Sequence, residues 1–131
     1  MTEGKIRPIV VAAIKRPDNR YLVNIGEAEG RKWFRMLGGG IKFGETAEEA
    51  LIREFKEELG ADIIVGKKIE AYESIFIYKG KKGHEIVFVY EAEFADKSLY
   101  DMDRIPMIEE AFKDEYALWI PLRKISHYGE M

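Results

Sequence analysis

The chain has 131 residues, 47% hydrophobic and 34% charged, which is the make-up of a folded globular protein and not of a disordered or membrane one. It has no cysteine, which removes disulfide frameworks, thiolate catalysis and cysteine-ligated metal sites. The formal net charge of −3 provides no basic field for a nucleic-acid polymer.

In chain order, residues 6–14 are rich in β-branched residues and read as a buried strand. Pro17-Asp18-Asn19 is a turn signal, and Tyr21–Ile25 reads as the returning strand of a hairpin. Lys32–Leu37 is a third short strand. Gly38-Gly39-Gly40, with Gly44 beyond it, is too rich in glycine for regular structure and reads as a loop. Thr46 and Glu49 form a capping-box pattern ahead of a helix over Ala47–Leu59, with Gly60 at the left-handed C-terminal cap. Ile63–Val65 and Ile69–Tyr78 read as strand, Lys79–Gly83 as a turn, and Glu85–Phe94 as the partner strand of a second hairpin. Residues 96–114 read as a long loop, Ala117–Ile120 as a last strand, and Pro121–Ile125 as the start of a short helix. Strands interrupted by one central helix predict one domain over residues 1–131, with helices on a mixed sheet.

On a helical wheel, Ala47, Leu51, Ile52, Phe55 and Leu59 share the arc that packs on the sheet, and Glu54, Glu57 and Glu58 share an adjoining arc. Glu54 is i,i+4 to Glu58 and i,i+3 to Glu57, so the three carboxylates are neighbours. They repel each other and lie toward the helix end least suited to anions. Such a face is either plain solvated surface or a site for a hard divalent cation such as Mg²⁺ or Mn²⁺. Arg53 beside the patch, and a glycine-rich segment where backbone can approach closely, favour the site.

Together these residues resemble the Nudix box, Gly-x5-Glu-x7-Arg-Glu-U-x-Glu-Glu-x-Gly-U, where U is bulky and apolar. Residues 39–61 supply Gly39, Glu45, Arg53, Glu54, Phe55, Glu57, Glu58 and Gly60, and depart only at Ala61, which is small for its position. The closing Trp119-Ile120-Pro121-Leu122 is also similar to the family. The resemblance implies an α/β fold of the α+β type, an α/β/α sandwich around a mixed sheet. It implies an Mg²⁺-dependent hydrolase, with Mn²⁺ as substitute, that cleaves the phosphoanhydride of a nucleoside diphosphate linked to another moiety.

The implied roles fall on named residues. Glu54, Glu57 and Glu58 with the Gly38 carbonyl would hold metal, Arg53 would orient a glutamate, and Glu45 would support the loop or a metal-bound water. The catalytic set is then Glu57, Glu54 and Arg53, with Glu57 or Glu54 as general base and Glu109, Glu110 and Glu115 as alternatives from a later loop. Candidate substrate residues are Trp33, Tyr78 and Arg35, among a wider set of Phe34, Tyr72, Phe76, Arg7, Arg20, Arg31 and Lys32. His84-Glu85, after the basic turn, is either in reach of a ligand or plain hairpin-tip surface, and His84 and His127 lack zinc spacing.

Residues 1–7 are polar, and the apolar run 9–14 is too short to cross a bilayer. The expected setting is cytoplasmic, with a small-molecule nucleotide-type substrate, no membrane, no nucleic-acid polymer, and homodimerisation open. Two rivals differ in class. One is an inactive Nudix-fold nucleotide-binding module. The other is an isoprenoid-diphosphate isomerase, whose familiar forms need a cysteine that this chain lacks.

Overall fold

The computed structural model describes residues 4–28, 30–112 and 114–125. Its strands are β1 (Ile6–Ala13), β2 (Arg20–Ala28), β3 (Arg31–Met36), β4 (Gly38–Gly40), β5 (Ile63–Tyr78), β6 (Lys81–Phe94), β7 (Arg104–Pro106) and β8 (Tyr116–Pro121). One α-helix is present among the described residues, α1 (Ala47–Leu59), with short 3₁₀ turns at Lys97–Asp101, Glu110–Phe112 and Leu122–Lys124.

The strands form two four-stranded sheets, β4-β1-β6-β5 and β3-β2-β8-β7. In the first, β1 runs parallel to β6, while β4 and β5 are antiparallel to their neighbours. The second is antiparallel throughout. The architecture is mixed α+β, as expected, with α1 packed against the first sheet.

Strand β1 shows why its sequence is apolar without alternation. Val10, Ala12 and Ile14 join the core that includes Leu51 and Phe55 of α1. Ile9, Val11 and Ala13 pack on the opposite side with Val87 and Val89 of β6, next to Met36 and Tyr72. A strand covered on both faces has no polar face to show.

Several expectations need correcting. The segments before and after Pro17-Asp18-Asn19 do turn back, with Leu22 donating to Ile14 and a single bridge from Lys15 to Tyr21. They are not a hairpin pair, because β1 and β2 then part into different sheets. The triple glycine is not a loop: β4 pairs Gly40, Gly39 and Gly38 with Ile9, Val10 and Val11. Only glycine allows this approach, since a Cβ on Gly38 would overlap the Val10 carbonyl. The two pieces expected after α1 are one long strand, β5, irregular between Val65 and Lys68 and again between Lys68 and Glu70. Its turn to β6 is only Lys79-Gly80, both at positive φ, the geometry of a tight hairpin. The expected loop over 96–114 contains β7 and two 3₁₀ turns, and the helix after Pro121 is a single 3₁₀ turn.

The helix boundaries match the sequence reading. Thr46 accepts from the Glu49 amide at 3.1 Å, the Glu49 carboxylate accepts from the Thr46 amide at 2.9 Å, and Gly60 closes the end at φ 66°. Such a cap contributes about 1 kcal/mol. The buried face is turned from the predicted one. Ala50, Leu51, Phe55, Glu58 and Leu59 are buried, whereas Ile52 is 45% exposed. That rotation carries Glu58 inward to 5% exposure.

Candidate active site

Arg53 gathers the acidic residues. Its Nε and Nη2 donate to the two Glu45 oxygens at 2.7 and 3.0 Å, a bidentate fork. Its Nη1 donates to Glu54 Oε1 at 3.0 Å and to Glu57 Oε1 at 3.1 Å, and its Nη2 also reaches the Gly40 carbonyl at 2.9 Å. One guanidinium therefore ties the loop before α1, two glutamates of α1 and strand β4 together. The Arg53 hydrogen bonds, joined by the Lys42 amide at 2.9 Å, pull the Glu45 carboxyl down to about 2. The same Glu45 bonds raise the Arg53 pKa above its ordinary value.

Glu58 stands at the opposite extreme. Burial first, and the adjacent Glu54 charge second, push its carboxyl up to about 9. The two carboxyls therefore lie close enough for the Glu54 charge to oppose ionisation of Glu58. Glycine β4 closes over this pair, for a Cβ on Gly39 would collide with the Glu54 carboxylate.

The later loop reaches the same place. The Ile108 amide donates to the Glu58 carbonyl at 2.7 Å. Glu109 is raised by burial and then by the charges of Glu54 and Glu57. Glu115 lines the neighbouring cavity and Glu110 is exposed.

That cavity, of about 420 Å³, lies between the two sheets and runs to Gly38, Gly39 and Glu58. Trp33, Arg35 and Tyr78 all line it, as does Phe76. Trp33 meets Tyr78 edge to face with centroids 6.0 Å apart, and it presses on Gly26 so closely that a Cβ there would enter the indole. Phe34 and Tyr72 are not among the lining residues, and Arg20 pairs with Asp18 at 3.5 Å instead. The Arg31 side chain and His127 lie outside the described residues. Glu85, read from the sequence as strand and with His84 as either in reach of a ligand or plain surface, is a buried residue of β6 that lines the cavity, flanked by Arg7 and Arg35. Only the parallel register of β1 on β6, which sets Arg7 beside Glu85, brings these groups together.

Fit to a divalent cation can be judged from the donors. Among the described residues no three histidine, aspartate or glutamate side chains converge in ready metal geometry, since Glu54 and Glu57 turn to Arg53. Yet Glu58 is a buried carboxyl close to the Glu54 charge, and Glu54 itself lies under a glycine cradle that even one methyl group would fill. Hard oxygen donors crowded against their own repulsion suit Mg²⁺.

The family model of the NUDIX domain matches residues 5–129. The chain belongs to the Nudix hydrolase family. Members generally hydrolyse nucleoside diphosphate derivatives and generally use divalent metals. The chain is 31% identical over 116 residues to a candidate mutator protein, MutT4, of Mycobacterium tuberculosis (strain CDC 1551 / Oshkosh), covering 88% of this chain and 40% of that protein. It therefore spans about two fifths of that relative's length. Among solved structures it resembles a MutT Nudix hydrolase from Burkholderia pseudomallei at 25% identity and a TM-score of 0.61, over 94% of this chain and 92% of that one. It also shares the fold of a Nudix hydrolase from Nitrosomonas europaea at 18% identity and a TM-score of 0.62, over 91% and 74%. No helix among the described residues is long and apolar enough to cross a membrane.

Proposed function

We propose that this protein is an Mg²⁺-dependent hydrolase, active also with Mn²⁺, that cuts a phosphoanhydride bond in a nucleoside diphosphate linked to another moiety. The observation that carries this reading is the Arg53 cluster, which holds Glu45, Glu54 and Glu57 together beside buried Glu58. An inactive binding module has no use for so repulsive an arrangement.

Glu54, Glu57 and Glu58, with the Gly38 carbonyl, would hold the metal. Bound there, the cation would neutralise the diphosphate and lower the barrier to forming the nucleophile from water. Arg53 keeps the Glu54 and Glu57 carboxylates together on one side of α1, so a cation would have only to draw them from its Nη1. Glu57 is the general base in this reading. Its side chain is 41% exposed against 14% for Glu54, so water reaches it most readily. The aromatic walls at Trp33 and Tyr78 would take the nucleobase, and Arg35 would donate to the substrate. The setting is cytoplasmic and the substrate a small nucleotide, not a polymer.

A screen of nucleotides and nucleotide derivatives with Mg²⁺ or Mn²⁺, read by phosphate release after phosphatase coupling, tests this. Metal-dependent turnover of at least one nucleoside diphosphate derivative is expected. Turnover that persists undiminished in excess chelator, or none across the panel, overturns it.

A further inference from the structure

We infer that Arg7, Arg35 and Glu85 form a phosphate clamp in the cavity, in which Glu85 is a positioning residue and the two arginines hold a phosphate of the substrate chain other than the one at the metal carboxylates. The inference rests on the hydrolase reading above.

Three observations lead there. The first is the order of burial. Glu85 is 5% exposed, whereas the side chains of Arg7 and Arg35 are 37% and 32% exposed, so a ligand entering the cavity meets the guanidiniums before the carboxylate. The second is the looseness of the pairing. Arg7 Nη1 lies 3.6 Å from Glu85 Oε2 and Arg35 Nη2 lies 3.5 Å from Glu85 Oε1. These contacts are longer than the 2.7–2.9 Å of a charge-assisted bond, which leaves guanidinium donors for another acceptor. Two positive charges on one negative leave a surplus of one, and planar forks suit phosphate oxygens.

The third is position. A Cβ on Gly40 would lie 3.4 Å from Arg7 Nη2, and the next residue back along β4, Gly39, abuts Glu54. The clamp therefore borders the strand that covers the carboxylates, within reach of a polyphosphate chain bound at them. A further donor waits nearby. Ser74 pairs across from Glu85 in the β5–β6 register, is buried, and has a hydroxyl with no hydrogen-bond partner among the described residues. It sits on the same face of β5 as Phe76 and Tyr78, which line the cavity.

Inorganic tripolyphosphate in chelator-containing buffer is the probe, because the clamp needs no metal and the readout, calorimetric binding, needs no turnover. The parent should bind it more tightly than orthophosphate. Arg35→Gln should bind it roughly tenfold or more weakly, the loss of a charge-assisted bond. Arg35→Gln with Glu85→Gln restores the parent's net cavity charge and removes the underpaired buried carboxylate, so it guards against misfolding. It should remain equally weak, because a single guanidinium cannot hold the phosphate from both sides as the pair does. Glu57→Gln should leave tripolyphosphate binding intact, which separates the clamp from the hydrolytic machinery. In turnover, Arg35→Gln should raise KM far more than it lowers kcat. Parent-like binding by the double variant would reduce the clamp to net charge and overturn it. Orthophosphate bound as tightly as tripolyphosphate would overturn the assignment to a substrate chain.

Discussion

The Ile108 amide donates to the Glu58 carbonyl at 2.7 Å, which staples the loop carrying Glu109 to the last turn of α1. A residue on a loop fixed this way sits at a set distance from the helix carboxylates, and the raised Glu109 carboxyl registers their charge. Two glutamates therefore compete for the role of base, and substitution separates them. Glu57→Gln should lower kcat by roughly 10²–10⁴ with little change in melting temperature. Glu109→Gln should lower it less than about tenfold, mainly by altering the field around Glu57. Steady-state kinetics on one substrate decides, and the reverse order moves the base to Glu109.

Arg53→Lys keeps the charge but cannot serve Glu45, Glu54, Glu57 and the Gly40 carbonyl together. Urea denaturation should show a loss of about 1–3 kcal/mol. The kcat should fall as well, because the rotamers of Glu54 and Glu57 are freed. Unchanged stability would mean that the fork contributes nothing.

Gly39→Ala places a methyl group where the Glu54 carboxylate lies. The helix and the sheet should survive, but Glu54 must move. Magnesium affinity, followed by the metal dependence of turnover, should weaken by roughly tenfold or more, in line with disturbing a ligand's supporting shell. An alanine enzyme with parent-like metal dependence would show that the cradle has no part in the site.

The raised Glu58 carboxyl makes stability depend on pH with a definite sign. Between its ordinary value of 4.5 and about 9, the native chain keeps a proton that the unfolded chain has released. Unfolding free energy therefore falls as pH rises through this window. Glu109, also raised, acts in the same direction. Glu45, lowered to about 2, acts oppositely and only below about 4.5. In chelator, the melting temperature should decline from pH 5 to pH 9, and Glu58→Gln should flatten the decline. Equal slopes in the two proteins would dismiss Glu58 as the source.

Metal should counter that decline. Binding at a hundred times Kd stabilises by about 2.7 kcal/mol, which is several degrees for a domain of this size. The double change Glu54→Gln with Glu58→Gln should remove the response at matched ionic strength. The same Mg²⁺ shift in both proteins would place the metal elsewhere.

The parts legible in the sequence are those fixed by local chemistry. The Thr46–Glu49 cap, the Gly60 stop and the helix between them depend on neighbours within a few residues, and they appear where the pattern puts them. The family motif, whose Arg53, Glu54, Glu57 and Glu58 lie on that helix, was legible for the same reason. What stayed hidden depends on partners distant in the chain. Gly38–Gly40 is a strand only because β1 offers an edge, and Glu85 meets Arg7 only through a parallel register. The inward turn of Glu58 was concealed by its own polarity, since a wheel sorted by hydrophobicity assigns a glutamate to water.

The irregular stretch of β5 bears on how the protein behaves when crowded. Among the described residues β5 pairs only with β6, so one side of a sixteen-residue strand is a bare row of amides and carbonyls. Such a rim invites another chain to zip onto it. The two breaks in register around Lys68 interrupt that row near its first third, and Lys67 and Lys68 set like charges against any matching strand. Beyond Glu70 the register runs on to Tyr78 without a break, and exposed Ile75 and Ile77 follow the single charge of Glu73. Self-association in concentrated solution would therefore begin at the hairpin end of β5, and a single lysine at Ile75 is the smallest change that would oppose it.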